Sequence, residues 1–261
     1  MRTEDRQALA DLLIAARRDG QQLRDLPPHL TPADSAEGYA VNALVADGLG
    51  WAPLGWKIAG TNPEMQRRLR LGDPIYGRSF ARFATVSPGH FVHAGLLDPL
   101  IECEFFFRLG SDLPPSAEAY SVGDVADAVV AAHAGVEVAE CRFPLDALPA
   151  IPLILADGAA NGRYVIGPEI VGWRDRDLAA MEVVLSVNGA PRRRGAGREV
   201  MNDPINALVW LANQRSAWGD GLKAGDLIST GTASGMLLAR AGDRMVARFG
   251  DAYDVELAFE G

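Results

Sequence analysis

The sequence predicts an α/β (α+β) fold: a helical N-terminal segment, residues 1–54, on a strand-rich body, residues 55–261, the whole forming one structural unit. Three observations lead there. Apolar residues recur at helical spacing up to about residue 50. From Gly55 onward the pattern shifts to period-two alternation punctuated by glycine turns. Helix-start signatures then reappear singly, at Ser121 and at Asp203, between strand-like runs.

Taken in order, Thr3 caps a first helix with Glu4 and Asp5 in its first turn, Leu9, Leu12, Leu13 and Ala16 form its stripe, and Gly20 stops it. A turn at Pro27-Pro28 leads to a second helix, with Thr31 as cap, Pro32 in the first position, Asp34 completing a capping-box-like pattern, and Val41, Leu44 and Val45 inward. Gly55 to Thr61 reads as a short strand ending in a glycine turn. Asn62-Pro63-Glu64 opens a short helix through Leu69, closed by Gly72, and Asp73 to Gly77 reads as a turn or loop. Ile101 to Phe107 is a strand. A capping box at Ser121–Asp124 opens a helix running to His133, with Val125, Ala128, Val129 and Ala132 on one side and Gly135 as its stop. Val136 to Cys141 alternates again, Tyr164–Ile166 and Glu169–Trp173 look extended, and Met181–Val187 leads into an Asn188-Gly189 hairpin turn, with Arg192-Arg193-Arg194 as a solvated loop. Asp203-Pro204 opens a helix with Leu208, Leu211 and Ala212 inward, ending near Trp218-Gly219, and the remainder is strands and turns.

Composition narrows the function. The chain of 261 residues, 48% hydrophobic and 23% charged, suits one large domain, or one domain with a smaller appendage, with an ample core. A net charge of −9 and the lack of a basic patch interleaved with aromatics argue against nucleic acid as partner. No apolar run is long enough to span a membrane, and the N-terminus is too acidic for a secretory signal. Cys103 and Cys141 read as reduced core residues of a cytoplasmic protein. The histidines lack zinc spacing, His90 and His93 read as surface loop residues, and there is no phosphate-binding glycine motif and no Gly-x-Ser-x-Gly.

The chemistry concentrates at Ile101-Glu102-Cys103-Glu104-Phe105. On a strand, Ile101, Cys103, Phe105 and Phe107 share one face, and Glu102 and Glu104 the other. Two like charges in an apolar strand call for a positive partner, and a hard divalent cation with oxygen ligands meets the need; a solvated polar face is the alternative. Glu137, alternating with Val136 and Val138, offers a third carboxylate. Lys57, between Trp56 and Ile58, either snorkels to water or is held in a pocket, where its ammonium steadies a developing enolate or moves a proton. Thr230 and Thr232 flank Gly231, where hydroxyls and a backbone N–H either contact a ligand or simply make a glycine turn.

Together the segments Gly38-Tyr39-Ala40-Val41, Gly55 to Thr61, Ile101 to Glu104, Gly135 to Val138, Ala156-Asp157-Gly158-Ala159, Asp203 to Asn213, Gly225 to Gly231 and Ala241-Gly242-Asp243 make the chain resemble, over nearly its whole length, the 2-keto-4-pentenoate hydratase and 4-oxalocrotonate decarboxylase branch of the fumarylacetoacetate hydrolase superfamily. The resemblance implies a mixed β-roll or sandwich body, a homo-oligomer, and Mg²⁺ or Mn²⁺ held by Glu102, Glu104 and Glu137. It also implies Lys57 and Asp157 as catalytic residues, and Thr230, with its neighbours Gly231 and Thr232, in contact with substrate. The implied activity is a metal-dependent lyase hydrating a 2-hydroxydienoic or 2-oxo-4-enoic acid from aromatic breakdown. A decarboxylase of a 4-oxalocrotonate-like diacid, with Arg78 or Arg142 holding the second carboxylate, is the nearest rival, and a non-catalytic metabolite-binding homologue is the other. The chain departs from the family pattern at Ile75, where many hydratases carry an acid, at Cys141, at Gly158-Ala159-Ala160 and at Asn202-Asp203-Pro204.

Overall fold

The computed structural model describes residues 1–261, the side chains of Arg68 and Leu69 apart. Thirteen strands form two sheets, as the period-two alternation requires. The strands are β1 (Pro53–Ala59), β2 (Ile75–Phe80), β3 (Ala84–Val86), β4 (Gly89–Val92), β5 (Leu100–Leu109), β6 (Val129–Ala139), β7 (Arg163–Glu169), β8 (Glu182–Val187), β9 (Ala190–Ala196), β10 (Leu227–Ser229), β11 (Met236–Leu238), β12 (Arg244–Phe249) and β13 (Tyr253–Glu260). The larger sheet runs β2-β1-β10-β5-β6-β7-β3, with β11 also on β5; the smaller runs β4-β13-β12-β8-β9. β12 and β13 pack across β6 and β7. Between the sheets lies the main core, with Ile101, Cys103, Phe105 and Phe107 in it, all on the face of β5 that the alternation assigns to them. Phe105 meets Phe249 of the smaller sheet edge-on, ring centroids 5.3 Å apart.

The helices are α1 (Thr3–Asp19), α2 (Ser35–Leu49), α3 (Pro63–Leu69), α4 (Val122–Ala128), α5 (Ile151–Ala156) and α6 (Pro204–Ala217); α4 and α6 add Val125, Ala128, Leu208 and Leu211 to the main core, beside the smaller sheet. α1, α2 and α5 bury Leu9, Leu13, Val41, Val45 and Leu153 in a second core. Gly20 and Gly50 end α1 and α2 in the left-handed conformation.

Several local expectations are corrected. Thr3 is the first helical residue and not the cap of α1. Asp34, not Thr31, caps α2, because its Oδ1 accepts from the Glu37 N–H at 2.9 Å. α3 runs through Leu69 as expected, but Arg70, in the left-handed region with φ 55°, and not Gly72, closes it. Ile75 to Gly77 belongs to β2, paired antiparallel with β1. The capping box of α4 forms as expected, but the helix stops at Ala128; Val129 to His133 joins β6, where the ladder to β5 overrides the helical spacing, and Gly135 lies mid-strand. Extended structure ends at Glu169, with Trp173 in a turn. Arg192 to Arg194 lies on the exposed β9, paired with β8 across an Asn188-Gly189 turn in which both residues have positive φ. His90 lies on β4, and His93 is half-buried with a ring nitrogen 3.1 Å from the Ala239 carbonyl oxygen. Both cysteines are free and buried. Among the described residues no helix is long and apolar enough to cross a membrane.

Candidate metal centre and its cavity

Antiparallel register makes Glu102 of β5 and Glu137 of β6 direct partners, and Glu104 sits two residues along β5 on the same face. A carboxylate oxygen from each lies within 4.8 Å of the others. Glu104 and Glu137 are fully buried and Glu102 is nearly so, which removes the alternative of a solvated polar face. Lys57 reaches the cluster from β1, its Nζ 3.3 Å from Glu137 Oε1 and its side chain 2% exposed. Tyr164, the register partner of Glu137 on β7, donates its hydroxyl to the same oxygen at 3.3 Å. The Gly231 N–H donates to Glu104 Oε2 at 2.9 Å. Gly231 is required there: its φ is 91°, and a Cβ would stand 2.2 Å from Thr61 Oγ1.

Three buried carboxylates face one ammonium. At an effective dielectric of about 20, each carboxylate pair repels by at least about 3 kcal/mol. Burial pushes Glu102 up to about 7, against the pull of Lys57 and with the help of Glu137. Burial and the two neighbouring carboxylates hold Glu104 well above the usual range, and burial raises Glu137. Burial works against the Lys57 ammonium, yet Glu137, Glu102 and Glu104 together hold its pKa above the ordinary lysine value, so it stays charged. Glu104 Oε1 and Glu137 Oε2 are buried with no hydrogen-bond partner. Two orphaned oxygens and one lying close by, in an all-oxygen set with excess negative charge, fit a hard divalent cation.

The cluster opens through Glu102 and Lys57 into a cavity of about 570 Å³. Thr232 lines it, with Oγ1 donating to the Gly235 carbonyl at 3.0 Å. Thr230 does not: it is fully buried, and its hydroxyl and N–H both donate to the Phe105 carbonyl, bracing the turn after β10 against β5. Asp157 is also set apart. It is fully buried behind the cavity, its Oδ1 3.0 Å from Arg17 Nη2 and 2.9 Å from Arg142 Nε, and its Oδ2 accepting from the Arg142 N–H at 2.8 Å. The arginines proposed for a second carboxylate lie elsewhere. Arg142 is spent on Asp157, and Arg78 sits on the opposite face of β1–β2 from Lys57, its guanidinium 4.4 Å over the ring of Trp56. Arg70, unmarked by any sequence pattern, is the arginine on the cavity wall.

Sequence reasoning also passed over Thr61 and Tyr164. The Thr61 hydroxyl is buried, lines the cavity and has no partner. Its place directly after the Lys57 strand and its glycine turn was the available signal. Tyr164 is visible only once the β6–β7 register is known.

The chain is similar to known proteins. Residues 92–259, which include the three carboxylates and the Gly231 turn, match the family model described as fumarylacetoacetate (FAA) hydrolase C-terminal. The chain is 33% identical over 244 residues to 2-keto-4-pentenoate hydratase 1 of Dechloromonas aromatica (strain RCB), covering 91% of this chain and 90% of the relative. It is 31% identical to the 2-hydroxyhexa-2,4-dienoate hydratase of Comamonas testosteroni, covering 85% and 84%. Its fold matches that of 4-oxalocrotonate decarboxylase from Pseudomonas putida G7, solved with magnesium and adipate, with a TM-score of 0.91 at 24% identity over 99% of this chain and 98% of the other. With the match spanning most of the body and the relatives nearly all of the chain, this protein belongs to the fumarylacetoacetate hydrolase family.

Proposed function

We propose that the chain is a divalent-metal-dependent lyase that hydrates a 2-hydroxydienoic or 2-oxo-4-enoic acid of aromatic meta-cleavage, with Glu102, Glu104 and Glu137 as metal ligands and Mg²⁺ or Mn²⁺ as the ion. The observation that carries the reading is the buried carboxylate triad with its two orphaned oxygens, set beside Lys57 at the head of a cavity. The names of its full-length relatives, a 2-keto-4-pentenoate hydratase and a 2-hydroxyhexa-2,4-dienoate hydratase, support the reaction.

A divalent cation held by Glu102, Glu104 and Glu137 would supply Lewis-acid chemistry, withdrawing electron density from a bound 2-oxo acid. The residues of this chain do the rest. Gly231, Tyr164 and Lys57 orient Glu104 and Glu137. Lys57, kept protonated by the surrounding carboxylates, offsets the charge that grows on the C2 oxygen of the enolate and can return a proton to it. The unpartnered Thr61 hydroxyl is free to hold a substrate oxygen. Thr232 forms the wall beside it. The position of Asp157 between two buried guanidinia supports a positioning role in place of contact with the reacting atoms.

Decarboxylation of a 2-oxo diacid is the second reading, favoured by one observation, Arg70 at the cavity wall. We further infer a homo-oligomer working in the cytoplasm, the setting that suits two free thiols. The test follows the ultraviolet loss of freshly generated 2-hydroxypenta-2,4-dienoate with Mg²⁺ or Mn²⁺ and with chelator, on the wild type and on Glu104→Ala, with product analysis. Metal-dependent hydration abolished in Glu104→Ala is the expected result. Tight metal binding without hydration, and CO₂ release from a diacid, would replace it with the decarboxylase reading.

A further inference from the structure

We propose that the part of the cavity remote from the carboxylates is a binding site for an extended, uncharged hydrocarbon tail, so that the preferred acid carries an alkyl or aryl group at C5 of the dienoate. The inference rests on the head-group site proposed above.

Size is the first argument. The cavity measures about 570 Å³. An unsubstituted five-carbon dienoate has about eight heavy atoms; at ~30 Å³ of liquid volume for each water-sized group it occupies at most about 240 Å³. More than half of the space is left over.

Chemistry is the second. From Glu102 the wall runs back along β5 to Leu100 and along β6 to Ala139, which are register partners. The wall also includes Met65, Ile75, Leu145, Leu148, Ile151 and Ile154. Besides Lys57, Glu102 and the two threonines, the polar side chains on the wall are Asn62, whose Oδ1 accepts from the Met65 N–H at 2.8 Å, the Cys141 thiol, and two charged residues of opposite sign, Asp98 and Arg70. Asp98 Oδ2 is already engaged, accepting from Gln22 Nε2 at 3.0 Å and from the Leu145 N–H at 3.2 Å, which fixes the 145–151 segment as wall. Arg70 is exposed at the mouth. No buried, unpaired cation among the described wall residues waits for a distal carboxylate, and a tail that dries this surface gains affinity with each added carbon.

The experiment compares kcat/KM, with Mn²⁺, for 2-hydroxypenta-2,4-dienoate, its 5-propyl and 5-phenyl counterparts, and a counterpart of the propyl compound ending in a carboxylate. One methylene in an apolar pocket is worth roughly ten-fold or more, so the propyl and phenyl acids should exceed the unsubstituted one at least ten-fold. Leu148→Glu, at a position 47% exposed and therefore tolerant of change, should shrink that ratio at least five-fold. Preference for the unsubstituted acid or for the carboxylate-ended one overturns the proposal. Calorimetric binding of two unreactive saturated acids, 2-oxopentanoate and 2-oxodecanoate, separates it from the lyase reading. Tighter binding of the longer acid with no hydration of any dienoate keeps the tail site and removes the lyase. Hydration of every dienoate, with equal binding of both saturated acids, removes the tail site and keeps the lyase.

Discussion

Lys57 shows what one side chain contributes. Enclosed by three carboxylates and 2% exposed, it is the only cation in direct contact with them among the described residues. Replacing it with alanine should lower kcat by about 10²–10³, the loss seen when one preorganised electrostatic group is removed, while Mn²⁺ titration still shows one bound ion. Unchanged hydration by Lys57→Ala would remove the lysine from the mechanism. Glu102 gives the pH dependence. Its pKa is raised from 4.5 to about 7 by burial, so between these values the folded protein keeps a proton that the unfolded chain has released. Without metal, stability therefore falls as pH rises through that window, by on the order of 3 kcal/mol. At the proposed metal site a divalent ion would take the place of that proton. Mn²⁺ should accordingly raise Tm more at pH 8 than at pH 5, by roughly 6–12 °C, checked by scanning fluorimetry with and without chelator. The alternation around Glu102 was enough to propose these ligands. It said nothing of Thr61, whose significance lies in the absence of a partner, a three-dimensional property.

Among the elements, strand pairing decided what local spacing could not. Val129 to His133 has helical periodicity, yet its backbone completes the ladder that sets Glu137 opposite Glu102. Had the helix run on, the third carboxylate would have lost its register. The same holds for β2. Read as a turn, Ile75 to Gly77 instead lies flat against the segment after α5, so close that a Cβ on Gly77 would stand 2.0 Å from the Gly158 carbonyl oxygen. Proline and glycine marked these stretches as breaks, and only the neighbouring strand shows that they continue the sheet. Asp157 belongs to this scale. It ties the end of α5 to Arg17 of α1 and to Arg142 after β6. Asp157→Ala would strand two buried guanidinia and should cost about 3–5 kcal/mol in urea unfolding. A variant with full stability but lost turnover would return Asp157 to the catalytic set.

The whole molecule is organised around the larger sheet, with the smaller sheet, α4 and α6 sharing the main core and α1, α2 and α5 forming a second one. The change of period near residue 54 separated the helical segment from the strand-rich body in the sequence, while the division into two sheets and the order of strands, in which β10 slips between β1 and β5, were out of reach of periodicity because hydrophobic pattern carries no information on neighbours. Because α1 and α2 share a buried core with α5, and Arg17 pairs with Asp157, we propose that residues 1–54 fold together with the body. Deleting them should abolish cooperative unfolding altogether; a soluble 55–261 fragment with a sharp thermal transition would show an independent body.

The hydrogen bond from Gly231 to Glu104 has a consequence in time. It joins residues 127 positions apart, so the site is whole only after the chain has returned from the far side of β6 to lay β10 beside β5. Contacts of such long range form late, because loop closure must precede them. At the proposed metal site a cation would therefore find its complete cradle at the end of folding, not at the start. Metal added during refolding should leave the folding rate unchanged and slow only unfolding, acting as a latch on the finished molecule and not as its seed.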